Sequence, residues 1–215
     1  MEEIRAILGA AEGRYRPFLI TAIFTGMRAS ELRGLTWADG DLQKAQIHVR
    51  QRADRYHVVG MPNSGAGQRT IPLTPMVVNT LKEWRLACPK GKLNLVLPNG
   101  ECNVEWHQNI VNRGLHPTLI KAGVTISTAK KDEEGNPILT PKYTGLHALR
   151  HRFASWCINR KADGGPELSP KAVQARMGHS SIQVTFDTYG HLLPTADEAQ
   201  VLADAEARLL AASAT

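Results

Sequence analysis

Apolar positions recur at helical spacing over most of the chain and alternate in only one short region. Ile4, Ile7 and Leu8 share one face of a helical stretch over residues 2–11. Phe18, Leu19, Ile20, Ile23 and Phe24 make residues 14–26 a strongly apolar helix that ends at Gly26. A short helix over 27–33 is stopped by Gly34. Ile47 and Val49 alternate with polar neighbours, which predicts a strand over 45–51, and residues 56–60 offer it a partner. Arg69-Thr70-Ile71-Pro72-Leu73 reads as a third strand, at an edge because of its proline. Helical spacing returns over 75–87, with Met76, Val77, Leu81 and Trp84, and again over 104–122 and 145–161. The polar residues 124–143, rich in Lys, Glu, Gly and Pro, predict a long exposed loop or hairpin. Ser169-Pro170 opens a helix that closes at Gly178. Thr195-x-x-Glu198 is a capping box for a last helix over 196–211, whose apolar side carries Val201, Leu202, Leu209 and Leu210. The fold class expected is mainly α with one small antiparallel β-sheet (α+β), in a single domain over residues 1–215.

Composition narrows the setting without naming a function. The 215 residues suffice for one substantial core or at most two small ones. With 42% hydrophobic and 21% charged residues, the chain is an ordinary globular one. Its apolar runs are too short to span a bilayer, and residues 1–20 lack a signal peptide's layout, so no membrane partner is expected. Cys88, Cys102 and Cys157 are odd in number and never C-x-x-C, as in a reduced, cytoplasmic chain without a zinc knuckle. A net charge of +6 favours a polyanion such as nucleic acid, or only a solvated cationic surface.

Four places could carry chemistry. Arg28 directly follows an apolar helix, and an arginine there needs an anion; Glu31, on the same helical face, is one. Taken alone, the pair reads more simply as an ordinary ion pair. His147 and Arg150 share a helical face, and His151 falls one turn past His147. H-x-x-x-H is a zinc-ligand spacing, but the zinc protease pattern needs Glu where Ala148 stands, and Arg150 would repel a cation. No metal and no other cofactor is expected, and His147 alone could be a satisfied surface or core histidine. His179 follows the helix-stopping Gly178, and Tyr189 lies between His179 and His191. Each feature is weak by itself; their order along the chain is not.

The segments "TGMRASELRGLTW", "QRTIPL", "LHALRHRFAS" and "RMGHSSIQVTFDTYGHL" resemble the catalytic domain of the tyrosine recombinases, specifically the phage-type integrases. The resemblance runs from about residue 2 to the last helix. It implies metal-independent DNA strand cleavage and rejoining through a covalent 3′-phosphotyrosine, in site-specific recombination or integration by a bacterial or phage-encoded protein. The implied partners are double-stranded DNA and further copies of the chain, as a tetramer on DNA. The chemistry fits these residues. Two guanidinium forks, Arg28 and Arg150, suit the non-bridging phosphate oxygens. Tyr189 would attack, helped by His147 as base because a free phenol titrates at about 10. His179 would bond a phosphate oxygen, and Glu31 would orient Arg28.

Two departures stand beside the resemblance. The family's hairpin lysine, which protonates the leaving oxygen, is missing: residues 61–68 contain none, and Asn63 or Gly65 stands in its place. General acid catalysis typically contributes about 10²–10⁴-fold, and Arg69 nearby is a poor proton donor. The N-terminal core-binding domain of such integrases is also expected to be absent here, with the last helix docking on a neighbouring protomer or on its own domain. The competing readings are a catalytically weakened or inactive DNA-binding domain of the same fold, a type IB topoisomerase and a histidine metalloenzyme.

Overall fold

The computed structural model describes residues 2–62, 64–193 and 198–212. Helices α1 (Glu2–Ala10), α2 (Arg16–Thr25) and α3 (Ala29–Arg33) come first, and α4 (Pro75–Ala87) follows the sheet. Helix α2 is apolar nearly all round and is buried accordingly. Its two threonines fit there because each hydroxyl donates to the carbonyl four residues back, Thr21 to Pro17 at 2.7 Å and Thr25 to Thr21 at 2.6 Å. Around α2 pack α4 and α7 (His147–Ile158), so the larger core forms between the N-terminal helices and the sheet.

Strands β1 (Gly40–Asp41), β2 (Gln46–Val49) and β5 (Arg69–Pro72) form an antiparallel sheet in the order β1-β2-β5. The fully buried Ile47 and Ile71 face each other in its register, and Val49 pairs with Arg69. Strand β5 lies at the edge, where a proline is tolerated. Residues 56–60 do not join this sheet. Strand β4 (Val59–Gly60) instead pairs with β3 (Arg52–Ala53) in a separate hairpin, so the described residues hold three small antiparallel sheets within the expected mainly α fold, where one sheet was expected. The third is a hairpin of β6 (Thr125–Lys131) and β7 (Pro137–Pro141), which resolves the polar stretch 124–143.

The helix expected over 104–122 starts later and is not uniform. It comprises α5 (His107–Asn109), a π-helical turn over Ile110–Leu115, and α6 (His116–Lys121). Pro117 has no N–H for the carbonyl of Arg113, and a widened turn accommodates such a residue.

Helices α7, α8 (Pro170–Met177) and α9 (Ile182–Tyr189) enclose a second, smaller core of Phe153, Ala154, Cys157, Ile158, Val173, Met177 and Tyr189. Ser169 caps α8 by accepting from the Ala172 N–H at 3.3 Å, as the Ser-Pro pair predicts. The last helix, α10 (Glu198–Ala212), exposes Leu202, Leu209 and Leu210. Thr195, the predicted cap of that helix, lies outside the described residues. No helix among the described residues is long and apolar enough to cross a membrane.

Candidate active site

The end of α8 organises the site. A helix leaves its last carbonyls without intrahelical partners, at the negative end of its dipole. Gly178 ends α8 in the left-handed region (φ +63°), and the backbone N–H groups of Gly178 and His179 turn back onto the carbonyls of Ala175 and Gln174. The next three carbonyls go to three arginines. Arg69 Nε donates to Arg176 O at 2.8 Å, Arg150 Nη2 to Met177 O, and Arg28 Nη2 to Gly178 O at 3.0 Å. Guanidiniums from three distant parts of the chain are thereby gathered at one turn.

Each arginine has a second anchor. Arg150 Nη1 donates to the carbonyl of Gly26, which ends α2 at φ +61°. A Cβ at Gly26 would overlap the Phe153 ring, so only glycine lets α2 and α7 approach this closely. Arg28 sits in extended conformation just before α3. Its N–H donates to Glu31 Oε2 at 2.8 Å and its Nη1 to Glu31 Oε1 at 3.0 Å. Arg69 adds two more bonds to Glu31 and a third, at 2.9 Å, to Gly67 O. The Arg28 side chain remains 41% exposed, whereas Glu31 is at 2%, so Arg28 is the guanidinium that also meets solvent.

Burial alone would raise the Glu31 carboxyl, but the bonds and charge of Arg69, then those of Arg28, outweigh it and hold it below the usual 4.5. Burial, then the charge of Arg28, brings Arg150 down to about 10, which leaves it protonated at neutral pH. His179 falls to about 4 through burial and the charges of Arg150, Arg28 and Arg69, so its ring is neutral. His147 is lowered by burial, His151 and the same two arginines, Arg150 and Arg28.

The sequence-predicted residues converge on this turn. His147 and His151, one turn apart on α7, set their rings nearly perpendicular at 4.4 Å between centroids. His147 is exposed and His151 half-buried. The Tyr189 hydroxyl is hydrogen-bonded to His151 Nδ1 at 2.8 Å, so the histidine bonded to the phenol is His151 rather than His147. Tyr189 is itself only 4% exposed, and burial raises its phenol against the opposing charge of Arg150. The ring of His179 lies parallel to that of Tyr189 at 6.3 Å, and its Nδ1 is hydrogen-bonded to Thr185 Oγ1 at 2.9 Å. Gly65 falls in a tight turn over Gly65–Gly67, whereas Asn63 lies outside the described residues. Two contributors escaped the sequence reading. Arg69 was seen there only as a poor proton donor and His151 only as a spacing, although each lies within a segment that carries the resemblance. Among the described residues no three or more His, Cys, Asp or Glu side chains are grouped to hold a metal ion.

Comparison with known proteins bears on the family and the fold. A sequence model of the phage integrase family matches residues 1–195. The chain is 28% identical to a "Tyrosine recombinase XerC-like" protein of Caldanaerobacter subterraneus subsp. tengcongensis, over 90% of this chain and 50% of that protein. It is 26% identical to the prophage integrase IntR of Escherichia coli K12, over 93% of this chain and 48% of that protein. It therefore spans about half the length of these curated relatives. Among solved structures, the Tn1549 transposon integrase in complex with circular intermediate DNA superimposes with a TM-score of 0.66 at 24% identity, covering 95% of this chain and 64% of that one. The catalytic domain of bacteriophage HP1 integrase gives 0.55 at 19% identity, covering 93% and 89%. Both likenesses are of fold, and with the family match they lead to one conclusion: this chain belongs to the phage integrase family, and its fold is that of a tyrosine recombinase catalytic domain.

Proposed function

We propose that the chain cleaves and rejoins DNA strands through a covalent 3′-phosphotyrosine at Tyr189, within a larger site-specific recombinase or integrase. The observation that carries this reading is the convergence of Arg28, Arg150, His147, His179 and Tyr189 around the end of α8. Arg28 and Arg150 would hold the non-bridging oxygens of the scissile phosphate, and preorganised positive charge of this kind is often the largest catalytic term. Neutral His179 can donate from Nε2 to a phosphate oxygen in the tautomer whose Nδ1 accepts from the Thr185 hydroxyl. Glu31 fixes Arg28 without touching DNA. The phenol is buried, so DNA reaches Oη only once the surface over it opens, with the hydroxyl staying beside His151.

The partner is double-stranded DNA, and the net charge of +6 supports it. The solved Tn1549 relative is itself bound to DNA. The exposed leucines of α10 support assembly with further copies, as a tetramer on DNA. Bacterial and prophage relatives support a cytoplasmic protein, bacterial or phage-encoded.

The test is trapping on a nicked duplex of the cognate element. Wild-type protein should give a covalent protein–DNA adduct, Tyr189→Phe none, and both should bind DNA equally; binding without any wild-type adduct sinks the reading. A second reading, a DNA-binding domain of the same fold with little or no catalysis, is favoured by one observation: residues 61–68 lack a lysine. It predicts no wild-type adduct, and cleavage that appears in Asn63→Lys or Gly65→Lys.

A further inference from the structure

We propose that His151 is a catalytic residue, the base that takes the proton of Tyr189 as the phenol attacks phosphorus. The inference rests on the strand-cleavage reading and adds a group that the matching segments do not single out.

The geometry gives three grounds. His151 Nδ1 lies 2.8 Å from the phenol oxygen, which is proton-transfer distance, and both groups are held by helices that pack in one small core. The other two histidines are placed for other work. His147 is exposed, and its ring meets His151 edge to face at 4.4 Å. His179 has its Nδ1 hydrogen-bonded to Thr185, and its ring lies parallel to that of Tyr189 rather than in line with the hydroxyl. Third, His151 lines a cavity of about 320 Å³ between α1 and α7 whose wall is largely apolar, with Ile4, Ile7 and Leu149, but includes the Glu3 carboxylate, which favours an imidazolium against the charge of Arg152.

The phenol needs such a partner. Burial raises it above its ordinary 10, against the charge of Arg150. In the step, the proton of Oη passes to Nδ1 and the freed electron pair forms the O–P bond. The P–O5′ bond breaks with its pair on O5′, which takes a proton from water. Religation runs the same transfers backwards, with imidazolium returning the proton to Oη.

The experiment uses a pool of duplexes, randomised around a single 5′-bridging phosphorothiolate, whose sulfur leaves without needing a proton. Single-turnover adduct formation is followed for wild type, His151→Asn, His151→Ala and His147→Asn, with melting temperature as the control for folding. His151→Ala should lose roughly 10²-fold or more in rate with DNA affinity unchanged. His151→Asn, which keeps an acceptor but no basicity, should not recover it, and added imidazole should partly restore His151→Ala. An adduct formed by His151→Ala as fast as by wild type, or faster, overturns this step alone and makes the contact a latch on the resting tyrosine. No adduct from wild type overturns the strand-cleavage reading and this step with it. A second measurement needs no DNA and no variant of His151. Imidazole ¹⁵N spectra should show the His151 proton on Nε2 and a hydrogen-bonded Nδ1 that is lost in Tyr189→Phe. A proton on Nδ1, donated to the phenol, overturns the proposal.

Discussion

Arg69 and Glu31 meet through two parallel hydrogen bonds, Nη1 to Oε1 at 3.0 Å and Nη2 to Oε2 at 2.9 Å, with 6% and 2% of their side chains exposed. A charge pair this deep in the protein is sustained only by its full set of partners. Glu31→Ala would strand the Arg69 guanidinium and free Arg28, and should cost about 3–5 kcal/mol of stability. Glu31→Gln, which keeps an acceptor, should cost less. Urea denaturation of both variants checks this, and a loss under 1 kcal/mol for Glu31→Ala, the range of exposed pairs, would show the network to be ornamental.

Acid should weaken the fold in two stages. Folded His179 takes up its proton only near pH 4, whereas in the unfolded chain it does so near its ordinary 6.5. The unfolded chain therefore binds more protons between these values, and stability falls as pH drops through that window. His147, also lowered, adds in the same direction. Glu31 is held below 4.5, so its contribution is present above that pH and lost as pH falls through its lower folded value. Denaturation across acidic pH should show a shallower decline from 6.5 to 4 in His179→Asn. The decline below 4.5 should flatten in Glu31→Gln. Unchanged slopes in both variants would contradict these assignments.

Gly26→Ala should destabilise the protein strongly. It forces a side chain into a left-handed backbone, which costs about 1–2 kcal/mol, and drives Cβ into the Phe153 ring, where overpacking costs typically 1–3 kcal/mol. Since Gly26 O receives Arg150, the same change should also lower any cleavage activity by displacing that guanidinium. Thermal melting with single-turnover cleavage separates the two effects.

Arg150→Lys should not be conservative. A lysine cannot reach the carbonyls of Gly26 and Met177 together while presenting a planar fork. Strand cleavage should fall by at least 10²-fold, with DNA binding reduced far less. Cleavage close to the wild-type rate would remove Arg150 from phosphate stabilisation.

Much of this architecture was legible in the residues. The helical spacing of α2 and α4, the Ser169-Pro170 start and the alternation at Ile47 and Val49 placed elements that the structure contains. Local pattern could not show that residues 56–60 would pair with β3 instead of the sheet, because pairing is a tertiary choice. Helix α9 was not assigned from the sequence at all: Thr185 and Tyr189 face inward and Phe186 outward, so its apolar face is mixed. Of the site, the order of Arg28, His147, Arg150, His179 and Tyr189 carried the family. Arg69 and His151 went unread because their roles depend on who sits opposite: a buried carboxylate for one and a phenol 38 residues away for the other.

The three arginines hang from consecutive rungs of one backbone turn, at residues 176, 177 and 178. One residue inserted into that turn would rotate each rung past it by about 100° and break the shared arrangement of the three footholds. Lengthening the connection before α8, over residues 159–168, would leave every rung where it is. The tolerance of this protein to changes in chain length is thus set by a stretch of three peptide groups that contains none of the site's reactive side chains.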